Sequence, residues 1–403
     1  CLGCSPRRID TALTALNRRT LRTSRSRRRQ PNAPHKGLAR GQAECALQRA
    51  CHCTSHDVMA VSIPLASCGV QFHVAPLQCY TNQHLRALLR PLCPSAVLWT
   101  EMEKAEGLQR PSAVDLRSLR PDDERGPLVL QLGGGGATQL ASAVRATAGL
   151  GFDEINLNAG CPSVETGGAS YGASLMLDGH RTRSLAEAMA EAHGGAVSVK
   201  CRLAARASLL AGGRVPETAF EELAEYVDQI SHTGAVSHVV VHARAAILGG
   251  LSPSKNRQVP PLQPDLVLRL AEVFPGLRIT LNGGLSASDL QDAAATRLDG
   301  LMCGRTVLRR PLDLARHSRQ VAAAQHADEA AGEAAVLPLP PSAVAELAGK
   351  ALARYERHAL AALAGGAAMP AVLMPLALLA EELAEEASAL AEAEAEAEAE
   401  AEA

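Results

Sequence analysis

Glu154-Ile155-Asn156-Leu157-Asn158-Ala159-Gly160-Cys161-Pro162-Ser163 joins a short β run to a polar strand end, a sharp turn and a thiol. Gly160 lets the chain turn and Pro162 fixes the exit, so Cys161 is presented beyond the C-terminal end of the run. Taken alone, this thiol is as readily a buried loop cysteine as a reactive one.

The same grammar recurs on both sides. Phe72-His73-Val74-Ala75, Val97-Leu98-Trp99 and Leu128-Val129-Leu130-Gln131 precede it. Val197-Ser198-Val199-Lys200, His238-Val239-Val240-Val241, Arg278-Ile279-Thr280-Leu281 and Gly300-Leu301-Met302-Cys303 come after it. Helix-length stretches such as 138–150 and 184–193 lie between them. Parallel strands covered by helices on one face and by a barrel core on the other read as continuous apolar runs. Eight alternating units predict an α/β fold, a TIM (β/α)8 barrel, with a small helical extension at the C-terminal end.

The residues that end these runs matter most. Gln131, Asn158 with Cys161, Lys200, His242 with Arg244, Asn282 and Arg305 all stand at or just past strand ends. In a parallel barrel those ends share one face, where this fold places its chemistry. Lys200 needs an anionic or electron-rich partner, or a salt bridge inside the barrel, because an unpaired buried ammonium is prohibitive. His242 suits a hydrogen bond to a polar ring or a satisfied core position, and Arg244 suits a phosphate or carbonyl. Asn282-Gly283-Gly284 and Gly304-Arg305 come after the last two strands, where barrels often bind phosphate through backbone amides; ordinary tight turns are the plainer reading. Gly133 to Gly136 mimic a dinucleotide fingerprint. The third glycine's place holds Thr138 and there is no second mononucleotide unit, so that reading is rejected.

The 403 residues divide unevenly in charge despite a net charge of −2. Segment 1–66 is an Arg-rich, acid-poor leader, expected to be disordered and similar to an organellar transit peptide, which would send the protein to a plastid or mitochondrion; otherwise it is cytoplasmic. Segment 67–318 is the expected barrel, 319–341 a Pro-bearing linker, 342–390 a helical extension with helices over 342–363 and 374–390, and 391–403 an Ala/Glu low-complexity tail. The eleven cysteines are scattered as reduced thiols would be, and the pairs in the leader lack the framework of a zinc knuckle, so no metal is expected. No apolar run reaches the roughly 18–20 residues of a membrane span.

These motifs, over roughly Phe72 to Arg310, resemble the tRNA-dihydrouridine synthase family, and most closely its bacterial A-type branch. The resemblance is carried by Val74-Ala75-Pro76-Leu77, Thr100-Glu101-Met102, Gln131-Leu132-Gly133-Gly134, the stretch from Asp153 to Ser163, Tyr171-Gly172-Ala173-Ser174-Leu175-Met176, Val199-Lys200-Cys201-Arg202 and Val241-His242-Ala243-Arg244. Leu251-Ser252-Pro253, Asn256-Arg257, Pro260-Pro261-Leu262, Asn282-Gly283-Gly284 and Gly304-Arg305 complete it.

The resemblance implies tightly bound FMN at the C-terminal rim, NADPH as reductant, tRNA as substrate, and a monomer. Pro76 and Leu77 would approach the flavin ring through their backbone, Gln131, Lys200 and His242 would contact it, and Asn282, Gly283, Gly284, Gly304 and Arg305 would hold its phosphate. Asn158 and Arg244 would touch the uracil or its backbone, and Ser252, Asn256 and Arg257 lie where the A-type branch meets tRNA. Hydride would pass from flavin N5 to C6 of a flipped-out uracil, with Cys161 giving a proton to C5. Departures from the family pattern include Leu77 for Met, Tyr171 for Phe and Ser174 for Cys, an insertion over 204–217, and a C-terminal region without basic, aromatic helices. Lys350, Arg354 and Arg357 could still face RNA there. Two other classes fit the same residues: another FMN-barrel pyrimidine oxidoreductase acting on a free base, and a tRNA-binding relative without turnover.

Overall fold

The computed structural model describes residues 70–121, 124–162, 171–285, 297–318 and 341–402. The basic leader 1–66, Ser163 and the linker up to residue 340 lie outside them. Ala60–Glu382 form one compact unit. Cys1–Met59 with Leu383–Ala403 form a second, of which the described part is the end of one helix.

The chain runs β1 (Gln71–Val74), α1 (Gln83–Leu92), β2 (Leu98–Lys104), α2 (Ala113–Leu119), β3 (Leu128–Gly133), α3 (Ala137–Thr147), β4 (Glu154–Asn158), α4 (Gly179–His193) and β5 (Val197–Arg202). It continues through β6 (Ala205–Arg206), α5 (Phe220–Ser231), β7 (Val236–His242), β8 (Ala246–Ile247), α6 (Pro264–Val273), β9 (Arg278–Asn282), β10 (Gly300–Cys303) and α7 (Arg305–Arg309). Eight strands pair in parallel in the order β1-β10-β9-β7-β5-β4-β3-β2. The ring closes where the Val74 N–H donates to Val97 O at 3.0 Å and the Val97 N–H donates to Phe72 O at 2.8 Å. This is the TIM barrel read from the eight runs.

Side chains alternate across each strand, which separates two populations. One face of β4, β5 and β7 carries Ile155, Leu157, Val199, Cys201, Val239 and Val241, buried along with Leu140, Val144, Leu185 and Leu223 of the covering helices. The other face is only partly apolar. Ala75, Val97, Trp99, Val129, Val240 and Met302 form one buried cluster. Around it stand Asn156, Asn158, Ser198, His238, Thr280 and Asn282, all buried and polar. The runs thus looked more apolar than their inner faces are. Buried polar groups are tolerated there because they hydrogen-bond one another.

Helix ends moved for local reasons. α3 stops at Thr147, and a 3-10 turn over Ala148–Leu150 completes the stretch before Gly151 turns left-handed (φ 68°). α4 starts at Gly179, ahead of the expected Ser184, because the Asp178 carboxylate accepts from the Arg181 N–H at 2.9 Å. The expected insertion over 204–217 contains β6, which pairs with β8 as a small second sheet.

At the C-terminal end, α8 spans Pro341–Ala364 and α9 spans Met369–Glu402. α9 begins at Met369, not 374, with Pro370 in its first turn where a missing N–H is harmless. It then runs through the Ala/Glu repeat, both residues being strong helix formers. α8 lies on α1, with His84 Nδ1 and His358 Nε2 2.9 Å apart. The Tyr355 hydroxyl donates to Val372 O at 2.5 Å, and the fully buried Glu382 accepts from the Leu312 N–H at 2.7 Å. Lys350 pairs with Glu346 on the same helix. No helix among the described residues is long and apolar enough to cross a membrane.

Candidate active site

Strand β4 delivers the thiol. The Asn158 side-chain oxygen accepts from the Gly160 N–H at 3.1 Å and the Cys161 N–H at 3.0 Å, an Asx turn that fixes the chain just past the strand. A Cβ at Gly160 would stand 3.2 Å from Lys200 O, so glycine lets the turn lie against β5. Behind it, Cys161 O accepts from the Ala173 N–H at 2.9 Å. A side chain at Gly172 (φ 70°) would collide with that same carbonyl at 2.5 Å. Cys161 is half-buried, whereas Cys201 on the next strand is fully buried and its thiol is pushed up to about 12, by burial first. Only Cys161 of these two is accessible for chemistry.

Around the thiol the other strand ends converge. Asn158 Nδ2 donates to Gln131 Oε1 at 2.9 Å. Lys200 reaches Asn282 Oδ1 at 3.3 Å, and Asn282 Nδ2 donates to Met302 O at 2.7 Å. Burial, reinforced by Arg202, lowers the Lys200 pKa to about 8, although its residue keeps a partly open face toward the barrel mouth. His242 is held neutral, well below the usual imidazole range, by burial and by the cations Arg202, Lys200, Arg244 and Arg305.

Two glycine loops meet beside this group because β9 and β10 are neighbours in the sheet. Gly283 (φ 119°) passes so close to His242 that a Cβ would lie 2.6 Å from the ring, and Gly284 (φ 73°) rests against Leu262. Gly304 lies against Ala75 and Leu77. The Thr306 hydroxyl donates to Leu285 O at 2.8 Å, tying the loops together, and Arg305 is exposed at the start of α7. Pro76 and Leu77 are half-buried at the end of β1. The loop after them is clamped. The Leu77 N–H donates to Thr81 Oγ1 at 2.9 Å, and the Glu101 carboxylate accepts from the backbone of Cys79, which is left-handed (φ 69°), and of Tyr80.

Several of the expected site residues are engaged within the protein itself. Asn158 is committed at both ends to Gln131 and to the Cys161 turn, so it positions the thiol. Asn282 faces Lys200 and Met302 with its side chain, leaving the phosphate reading to the backbone of Gly283 and Gly284. Asn256 is fully buried, with Ile247 N–H donating to its oxygen at 2.7 Å and its amide donating to Ile247 O at 2.8 Å. It staples the loop and offers no surface contact. Arg244 donates to Pro260 O, and Arg257 is half-buried beside Arg202. Ser252 is exposed.

The reading of the sequence missed Arg202 as a site residue. It is nearly fully buried, and donates to Gly160 O at 3.2 Å and Asn256 O at 3.1 Å, bracing the thiol turn against the loop at 252–258. Its place two residues beyond Lys200 on one strand was the available signal.

A fit to a flavin can be judged from these atoms. Among the described residues the Lys200 ammonium has one long neutral contact, at the C-terminal end of its strand, which suits an electron-rich ring edge. Gly283 and Gly284 are left-handed with no room for side chains, the backbone form that suits a phosphate cradle.

Comparison with known proteins agrees. The family described as Dihydrouridine synthase (Dus) matches residues 73–396. A tRNA-dihydrouridine(20/20a) synthase of Pseudomonas putida is 36% identical over 291 residues, covering 72% of this chain and 83% of that protein. One of Xanthomonas axonopodis pv. citri is 38% identical over 253 residues (63% and 72%), and one of Shigella flexneri 33% identical over 251 (62% and 70%). With its closed barrel, its thiol turn and a match over most of its length, the chain belongs to the dihydrouridine synthase family, whose members are flavin-dependent oxidoreductases.

Proposed function

We propose that the protein reduces the C5–C6 double bond of uridine in the D-loop of tRNA, with FMN as bound cofactor and NADPH as reductant. The observation that carries this reading is the half-buried Cys161, locked in its turn on the rim that also holds Gln131, Lys200 and His242.

When bound and reduced, FMN supplies hydride to C6. Everything else falls to side chains of this chain. Cys161 gives its thiol proton to C5 from the opposite face, so one hydride and one proton add across one double bond and the sulfur is left as thiolate. Lys200 would set positive charge beside the bound ring, which favours the negative charge of a reduced flavin. His242, neutral, offers a hydrogen bond without adding to the cations already around it. Gln131 keeps one amide N–H beyond those already engaged. The backbone of Gly283, Gly284 and Gly304 holds the phosphate, with Arg305 nearby. Arg244, Ser252 and Arg257 are on the side where the tRNA enters, and affinity there is expected to depend on salt as phosphate contacts do.

The test is Cys161→Ala. The variant should purify yellow, bind tRNA and take electrons from NADPH, while dihydrouridine formation falls by about 10²–10⁴-fold, the usual contribution of a positioned acid. Undiminished product removes Cys161 from the role. Turnover of free uracil with no action on unmodified tRNA would instead support the pyrimidine oxidoreductase reading, and tRNA binding without any turnover the inactive relative.

A further inference from the structure

Beneath the site runs a line of buried side chains of which the proposed chemistry uses only the upper end. The Gly160 and Cys161 N–H groups donate to Asn158 Oδ1, and Asn158 Nδ2 donates to Gln131 Oε1. Gln131 Nε2 donates to Asn156 Oδ1 at 2.9 Å, and Asn156 Nδ2 donates to Ser198 Oγ at 2.8 Å. The Ser198 hydroxyl in turn donates to Ile155 O at 3.4 Å, close enough to the Glu154 carboxylate to help lower its pKa. Asn156 and Ser198 are fully buried and Gln131 nearly so.

The direction of every bond in this line is forced. At its upper end stand backbone N–H groups, which can only donate. They turn the Asn158 oxygen toward themselves and its NH2 toward Gln131. Gln131 must then meet Asn158 with oxygen and Asn156 with nitrogen. Asn156 must meet Gln131 with oxygen and Ser198 with nitrogen. At the lower end Glu154 is an anion, its pKa drawn down to about 2: burial alone would raise it, but His238, Ser198 and Arg278 outweigh that. A carbonyl and a carboxylate can only accept, so whether Ile155 O or Glu154 takes the Ser198 proton, the Ser198 oxygen is left to receive the Asn156 N–H. Both ends therefore demand the same polarity, and none of the amides between them can flip without leaving a buried group unpaired.

We propose that Asn156 is a positioning residue for the reductive site: its carbonyl oxygen locks the Gln131 amide in one flip and, through Asn158, steadies the Cys161 turn. The line thereby couples the group expected on the flavin side to the thiol expected on the opposite side of the substrate, through the barrel wall rather than through the ligand. This inference rests on the proposed function for its activity readout, and on geometry alone for the rest.

The test compares two neighbouring truncations, Asn156→Ala and Ser198→Ala, in flavin-loaded full-length protein. Both remove one link from the same buried layer and should lower the melting temperature similarly. Asn156→Ala leaves the Gln131 NH2 without its acceptor. It should lower kcat about tenfold, the scale of one misoriented hydrogen bond, with KM for tRNA unchanged. It should also shift the visible absorption band of the bound flavin and speed iodoacetamide alkylation of Cys161, read by peptide mass spectrometry. Ser198→Ala leaves the polarity set from the Cys161 end, so kcat, spectrum and alkylation should stay near wild type.

Folded Asn156→Ala protein with wild-type kcat, spectrum and alkylation overturns the proposal. So does Ser198→Ala matching it in all three. Should Asn156→Ala fail to fold, Gln131→Glu serves. Its carboxylate would face the Asn156 oxygen, so a protonated acid is required and flavin binding should improve as pH falls; flat pH dependence overturns the idea. Wild-type protein that holds no flavin would count against the proposed function, while altered alkylation in Asn156→Ala would still support the positioning role.

Discussion

Two polar layers cross the barrel interior, and they are built from similar residues to opposite ends. In the lower one, the Glu154 carboxylate accepts from His238 Nδ1 at 3.0 Å and from Arg278 at 2.7 Å, and His238 Nε2 meets the Thr280 hydroxyl at 2.8 Å. Acid, base and hydroxyl saturate one another. In the upper one, among the described residues, Lys200 holds a single long contact to Asn282, His242 is neutral among cations, and Gln131 retains a spare N–H. A closed set of polar groups fixes a barrel, and a set left open on one side takes a ligand. The contrast predicts that variants below harm stability and variants above harm activity.

The largest expected effect comes from opening the lower layer. Glu154→Ala leaves the buried His238 Nδ1 and the half-exposed Arg278 without their acceptor and should cost about 3 kcal/mol in urea unfolding, the upper scale of a buried polar group left unpaired. Any protein that stays folded should retain its flavin spectrum. Loss of flavin with little loss of stability would reverse the roles of the layers.

Acid should attack the lower layer next. His73, 2% exposed, accepts from the Trp99 indole at 3.2 Å and is kept neutral down to about pH 3, mainly by burial and then by His238. Below pH 6.5 the unfolded chain takes a proton that the folded one refuses, so stability falls as pH drops, by about 3 kcal/mol at pH 4 from His73. Glu154 acts in the same direction at lower pH. Its folded pKa is depressed, so its stabilisation is complete above about 4.5 and disappears as pH falls through about 2. His242 adds to the loss below 6.5. His73→Gln keeps an acceptor for Trp99 and should flatten the pH 7 to 4 slope; an unchanged slope would assign acid sensitivity elsewhere.

In the upper layer, Lys200→Met should do the reverse of Glu154→Ala. Removing an ammonium with one weak partner should leave stability unchanged or higher. Dihydrouridine formation should fall about a hundredfold, and flavin should bind more weakly. A variant that is destabilised yet active would mean that Lys200 belongs to the closed kind of layer.

The barrel was legible because β runs and helical stretches alternate eight times, and a closed parallel sheet needs nothing more. The upper layer was legible because its members sit at strand ends. The lower layer was not. Glu154, Ser198, His238 and Thr280 occur singly among Val, Ile and Leu, and their meaning lies in neighbours 42 to 84 residues away in the chain. Asn156 had a nearer signal: it stands two residues before Asn158 on one strand, hence on the same face. Asn256, placed near tRNA by the resemblance alone, had no signal of its burial, because its amide is consumed by the Ile247 backbone brought beside it by the fold.

The smallest effect is the sharpest probe of openness. Burial first and then Arg202 lower the Lys200 pKa to about 8. A ligand that brings negative charge to the ammonium must raise that pKa again. At pH 9 the empty barrel therefore holds mostly neutral Lys200, and binding should draw in at most about one proton per site. At pH 6.5 the lysine is charged before and after, so uptake should vanish. Calorimetric titration of stripped protein with FMN, in buffers of different ionisation enthalpy, measures that number. Lys200→Met should show no uptake at either pH, whereas Asn156→Ala, which leaves the lysine in place, should behave as wild type. Equal uptake in Lys200→Met would shift the titrating group to some other residue and leave the upper layer without its open cation.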